Sequence, residues 1–178
     1  MIYRLIVVVS SDGFIAKYSG HLPYSWTSKE EKENFKKDLN CCEWSVMGRK
    51  THELSYNNLR KRIIFTSSVE KYKYAGDNNI LFNPSAISFA EVIDLIKPAK
   101  TICILGGTKI HDYFMDNDLL NEAIITIEPI KFGKGISLFT NFQWTDFPYF
   151  FLKKGFRLNR DCKKINKQGT RYYHFLRI

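Results

Sequence analysis

The chain has 178 residues, 44% of them apolar and 15% aromatic, and carries a net charge of +9. That length builds one well-packed core and is short for two, so a single domain over residues 1–178 is expected. No apolar run approaches a membrane span, residues 1–10 lack the length and cleavage site of a signal peptide, and Cys41, Cys42, Cys103 and Cys162 show no metal-ligand or Cys-x-x-Cys spacing. These features predict a cytoplasmic protein with reduced thiols and no bound metal.

The apolar and turn patterns predict, in chain order, a strand at 3–10, a long loop at 11–28, a helix at 29–39, a strand at 44–48, a short helix or turn at 49–55 and a strand at 63–67. After a loop come a short strand at 80–82, a helix at 88–95, a strand at 101–105, a helix at 109–115 and a strand at 122–130. The tail reads as two further strands, 147–159 and 170–177, joined by a basic segment at 160–169. Alternating strands and helices imply an α/β protein whose mostly parallel central sheet is covered on both faces, with an antiparallel C-terminal edge hairpin. In such sheets ligands bind at the carboxyl ends of the strands.

Three predicted strand ends carry groups suited to a phosphorylated dinucleotide. The strand at 101–105 runs into Leu105-Gly106-Gly107-Thr108-Lys109-Ile110. There the glycines let the backbone approach an anion, and the helix-start amides and dipole point at it. The strand at 44–48 runs into Gly48-Arg49-Lys50-Thr51, which adds two cations and a hydroxyl to helix-start amides. The strand at 63–67 ends in Thr66-Ser67-Ser68, hydroxyls that suit a ribose or its 2′-phosphate. Each alone has an ordinary reading as a cap, a turn or a packing glycine. Their coincidence at one end of one sheet points to a nucleotide.

The apolar residues of Val8 to Ala16, Ile15 among them, offer a flat seat for a nicotinamide ring. Ser28 then precedes the first helix with Glu31 three residues on, the pattern of a capping box that needs no catalysis to explain it. Glu31 also lies one turn before Phe35 on the same helix face. If Phe35 packs toward a ligand, the carboxyl faces it too and can supply a proton to a ring nitrogen. Both readings of Glu31 stay open on sequence.

Charge is unevenly spread, because residues 149–178 hold nine Lys or Arg against the single acid Asp161. That stretch is either a solvated basic hairpin or a surface for nucleic acid or an anionic small molecule. It contains no recognised nucleic-acid module, so the solvated hairpin is the favoured reading and nucleic acid is not an expected partner.

Taken in order, these motifs resemble the dihydrofolate-reductase-like superfamily over essentially the whole chain. Ser11-Asp12-Gly13-Phe14-Ile15-Ala16, Leu22-Pro23-Tyr24, Glu31 with Phe35-Lys36, and Val46-Met47-Gly48-Arg49-Lys50-Thr51-His52-Glu53 look like dihydrofolate reductase itself. The C-terminal third, with Glu122, Pro129, Gly133, Gly135, Leu138 and Phe139, looks more like the reductase domain of riboflavin biosynthesis, as does Trp26-Thr27-Ser28. Tyr24 stands where dihydrofolate reductases usually carry tryptophan, and the 178 residues hold no counterpart of the zinc deaminase half that often accompanies the riboflavin reductase, so a stand-alone reductase is expected.

The resemblance implies a dihydrofolate-reductase-like three-layer sandwich that binds NADPH, and hydride transfer to a C=N-type carbon of a heterocycle. The favoured substrate is the ribosylaminopyrimidine phosphate of riboflavin synthesis, with dihydrofolate second. A protein that keeps the fold without catalysis and uses its basic tail to bind is the rival from another class. Carried over by motif, Val8 and Ile15 flank the nicotinamide, and Arg49, Lys50, Thr51, Thr66 and Ser67 hold cofactor phosphates. Glu31 is then the acid and Thr126 the threonine linked to it, Phe35 lines the substrate, and Arg60 falls near the arginine for the folate glutamate. A homodimer is expected from the riboflavin-reductase likeness alone.

Overall fold

The β-branched runs at 2–10, 61–65, 101–106 and 122–128 enter sheet structure, and the order in which they pair decides where the functional residues meet. A computed structural model describes residues 1–55, 57, 59–159 and 162–178. In chain order the elements are β1 (Ile2–Ser10), β2 (Phe14–Ala16), α1 (Lys29–Asn40), β3 (Trp44–Gly48), α2 (Arg49–Leu54), β4 (Lys61–Phe65), β5 (Tyr72–Tyr74), β6 (Asn79–Phe82) and α3 (Phe89–Asp94). There follow β7 (Thr101–Gly106), α4 (Thr108–Asp116), β8 (Glu122–Glu128), β9 (Ile136–Ser137), α5 (Tyr149–Lys153), β10 (Phe156–Leu158), β11 (Lys163–Lys164) and β12 (Arg171–Arg177). Short 3-10 turns occupy Pro23–Ser25 and Trp144–Asp146.

The main sheet runs β10-β12-β8-β1-β7-β3-β4-β6-β5, with β11 on β12. Its centre, from β8 to β6, is parallel, and the edge pairs formed by β5, β10, β11 and β12 are antiparallel. β2 and β9 form a separate two-stranded ribbon. The α/β sandwich with an antiparallel C-terminal edge is therefore present.

Strand alternation makes the two faces of the sheet unlike. One face presents Leu5, Val7, Val46, Ile63, Ile104 and Ile125 to α3, α4 and α5, whose Phe89, Phe114 and Phe151 complete one large buried core. The opposite face carries Ile6 and Cys103 with Leu39 of α1 as a small apolar cluster. Around it stand polar residues: Arg4 pairs with Glu122 at 2.6 Å, and the Tyr172 hydroxyl donates to Asp38 at 3.1 Å. The greasy face gives stability, while the α1 face is where polar chemistry is placed.

Three expectations are corrected. The strand expected at 147–159 is instead the helix α5 followed by the short β10. Its aromatic composition suggested a strand, yet Phe151 packs from a helical turn that ends at Gly155, whose φ is +80°. The loops at 11–28 and 68–79 hide the short strands β2 and β5, too brief to show alternation. Cys42 and Cys103, expected as reduced thiols, form a disulfide with their Cα atoms 5.8 Å apart. They are 61 residues apart in sequence, and only the packing of the end of α1 on β7 brings them together. Cys41 and Cys162 are free.

Arg160 and Asp161 of the predicted basic segment lie outside the described residues. Among the described residues no helix is long and apolar enough to cross a membrane.

Candidate active site

Parallel strands deliver their carboxyl ends to one rim of the sheet, and β7, β3 and β4 are consecutive neighbours there. The three nucleotide-type ends of the sequence therefore stand side by side. Gly107 is the N-cap of α4 and Gly48 the N-cap of α2, and no side chain caps either helix. Among the described residues their first amides carry no side-chain cap, the condition an anion site requires. A Cβ on Gly48 would lie 3.8 Å from Ile110, so the start of α2 sits against the first turn of α4.

Gly106 has φ +108°, and a Cβ there would come within 2.7 Å of His111 Nε2, so only glycine fits. His111 itself is fully buried, and its Nδ1 is 2.9 Å from the Leu138 carbonyl. Burial pushes its imidazole down to about 4 despite the Leu138 carbonyl and Asp112. Thr108 donates its hydroxyl to the Ser137 carbonyl at 2.6 Å, which ties α4 to β9 rather than to a ligand.

Arg49, Lys50 and Lys109 are exposed on this rim, Arg49 at 3.6 Å from Glu53, and Thr51 is half-buried. The buried Thr66 hydroxyl and the Ser68 hydroxyl are 2.9 Å apart, with Ser67 exposed between them. Val8, in register with Thr126, is buried on the α1 face. Ile15 and Ala16 are half-buried on β2, and Ile15 packs against the large core.

On that face α1 brings a second constellation. Glu31 is 4% exposed, and burial drives its carboxyl up to about 7. The nearby Thr27 hydroxyl pulls the other way without forming a hydrogen bond, the Glu128 charge raises the carboxyl further, Lys32 lowers it and Asp38 raises it. Thr126 is also buried, two residues before Glu128 on the same side of β8.

Ser28 caps α1 by accepting from the Glu31 amide at 3.2 Å, but the reciprocal half of a capping box is missing. The Ser28 amide and hydroxyl both donate to Glu128, each at 2.7 Å. Glu31 is thus spared the capping duty that its spacing suggested, and its carboxyl accepts no formed hydrogen bond among the described residues. Phe35, one turn on, packs against the buried cluster of Ile6, Leu39 and Cys103, so the helix face that carries Glu31 meets the sheet.

The family model described as dihydrofolate reductase matches residues 2–167. The chain belongs to the dihydrofolate reductase family. The Bacillus subtilis (strain 168) protein YwjB is 30% identical over 145 residues, covering 76% of this chain and 80% of that protein. Among solved structures, a riboflavin biosynthesis protein from Shewanella sp. PV-4 superposes with a TM-score of 0.74 at 18% identity, over 100% of this chain and 99% of its own. Dihydrofolate reductase from Enterococcus faecalis, complexed with NADP(H) and RAB-propyl, superposes with a TM-score of 0.67 at 17% identity, over 99% and 96%. At those identities the two structures speak for the shared fold.

Two features of this family member go beyond the sequence reading. Arg60 lies at the opposite rim, where β4 begins, and its guanidinium donates to the Leu39 carbonyl at 3.4 Å and to Asn40 Oδ1 at 2.6 Å. It caps the far end of α1 and borders a cavity of about 450 Å³ shared with Cys42, Glu43 and Lys61. Glu128 and Thr170 were not singled out at all. The signal for Glu128 was its i, i+2 placement after Thr126, which puts both on one face of a strand; Thr170 had none, since its reach depends on the fold of the tail.

Proposed function

We propose that the protein is an NADPH-dependent reductase that delivers hydride to a C=N-type carbon of a small heterocycle while Glu31 supplies the proton. The observation that carries this reading is the Glu31 carboxyl, buried, uncommitted to capping and held at about 7, where an acid can both keep and release a proton at neutral pH. The donor set of the rim fits the cofactor: two uncapped glycine-started helices, exposed cations and the Thr66–Ser68 hydroxyls suit phosphates and a ribose. Bound there, NADPH supplies the hydride.

The chain's own residues then do the rest. Val8 and Ile15 seat the nicotinamide, and Phe35 walls the substrate. Trp26 Nε1 and Thr27 Oγ1, both buried without a hydrogen-bond partner among the described residues, offer polar contacts to the heterocycle. A pocket enclosed this way excludes water and holds donor and acceptor at reacting distance.

The favoured substrate is a ribosylaminopyrimidine phosphate, supported by the C-terminal segment around Pro129, Gly133 and Gly135. The uncapped Glu31 favours dihydrofolate as the second reading, because a ring nitrogen needs that acid. Absorbance-monitored NADPH oxidation with each substrate in turn decides between them, and silence with both overturns the reductase reading. Affinity for NADH equal to that for NADPH removes the phosphate roles of Arg49, Lys50, Thr66 and Ser67. A cytoplasmic homodimer completes the reading, and a monomeric mass by light scattering removes the dimer.

A further inference from the structure

We propose that Glu128 is a positioning residue for Glu31: by holding the Ser28 amide and hydroxyl, it keeps the Glu31 carboxyl from folding back as a cap. This rests on the reading of Glu31 as the proton source. The geometry is internal to the molecule. At α3, Ser88 donates its amide and hydroxyl to Glu91, each at 2.8 Å, and the glutamate of the same helix is consumed as a cap. At α1, the identical two donors of Ser28 go to Glu128, one hundred residues away.

Glu128 is 4% exposed and its other oxygen accepts the Thr170 hydroxyl at 2.6 Å. Thr170 is in turn held by Asn166, whose side chain also lies 3.4 Å from Glu30. Glu128 is therefore fixed from β8, α1 and the turn before β12 at once. The charged and titratable groups facing Glu31 are Glu128 from β8 and Lys32 and Asp38 from α1, with the Thr27 hydroxyl from the preceding loop. Only Glu128 both competes for the cap and places a like charge beside the carboxyl.

The test follows the Glu31 carboxyl by carbon NMR through a pH titration, its signal assigned by its loss in Glu31→Gln, with Glu91 as the internal control. In Glu128→Ala the Ser28 donors are released, Glu31 takes them, and its midpoint falls by about one unit or more. Glu128→Gln keeps shape and one acceptor but loses the charge, and gives a smaller downward shift. The basic limb of the kcat profile moves with the midpoint in both variants. A Glu31 midpoint that stays put in Glu128→Ala, or in Glu128→Gln if the first does not fold, overturns the proposal. A midpoint that shifts as expected in a protein that turns over neither substrate upholds the positioning role and rejects the proposed function.

Discussion

α1 and α3 begin with the same four-residue pattern, a serine N-cap followed three residues later by a glutamate. At α3 the pattern closes on itself: Glu91 is solvent-facing, and the amide and hydroxyl of Ser88 hold its carboxyl below the usual range. At α1 the serine is satisfied from elsewhere, and burial lifts the Glu31 carboxyl to about 7. A local motif thus fixes where a helix starts but not what its acid does. That is decided by whether a third group from another strand reaches the N-cap first.

The largest effect expected from this contrast is catalytic. Glu31→Gln lowers kcat/KM by roughly a hundredfold or more, the usual worth of a positioned acid, while Glu91→Gln leaves it unchanged. Steady-state NADPH oxidation reads both, and equal rates in wild type and Glu31→Gln would erase the distinction.

Stability is next, and its sign separates the two glutamates. Glu31 has a folded pKa of about 7 against 4.5 for the free group, so the folded state binds its proton more tightly. Its contribution is full below about 4.5 and is lost as pH rises through 7. Glu31→Gln removes that loss and raises stability at pH 8 by up to about 3 kcal/mol, measured by urea unfolding. Glu91 runs the other way: its contribution is present above the ordinary carboxylate range and is lost on acidification, so Glu91→Gln flattens the acid side.

His111 sharpens the comparison further. Its folded pKa of about 4 lies below 6.5, so its contribution is present at neutral pH and is lost as pH falls from about 6.5 to 4. Over much of that window Glu31 and His111 oppose each other. Wild type should therefore show a shallow acid profile and Glu31→Gln a steep one, whereas parallel profiles in the two would sink the pairing. The smallest effect is Ser88→Ala, which costs about 1 kcal/mol as a lost cap with no change in activity. Ser28→Ala costs a similar amount in thermal unfolding but also lowers kcat, since it deprives Glu128 of its hydrogen bond from the Ser28 hydroxyl.

The central elements were legible because their signals are local. β1, β7 and β8 are β-branched runs and β3 a short apolar one, and the Gly48 and Gly106-Gly107 breaks mark helix starts on their own. What was illegible depended on partners distant in sequence. The Cys42–Cys103 bond, the theft of the Ser28 amide by Glu128 and the assignment of Arg60 to the end of α1 all need the sheet order β8-β1-β7-β3-β4, which no window of residues contains. The aromatic stretch before Gly155 misled for a different reason: phenylalanines suit a strand as well as a short buried helix.

The hydrogen bond from Thr170 to Glu128 bears on how the basic tail can be studied. The family match ends at residue 167, three positions short of that threonine, which makes the last eleven residues look dispensable. A shortened protein cut there would lose β12 and the brace on Glu128 together, so a dead truncation would say nothing about nucleic acid. Reversing the charges of the exposed Lys163, Lys164 and Lys167 in the 178-residue chain interrogates the surface while sparing the interior.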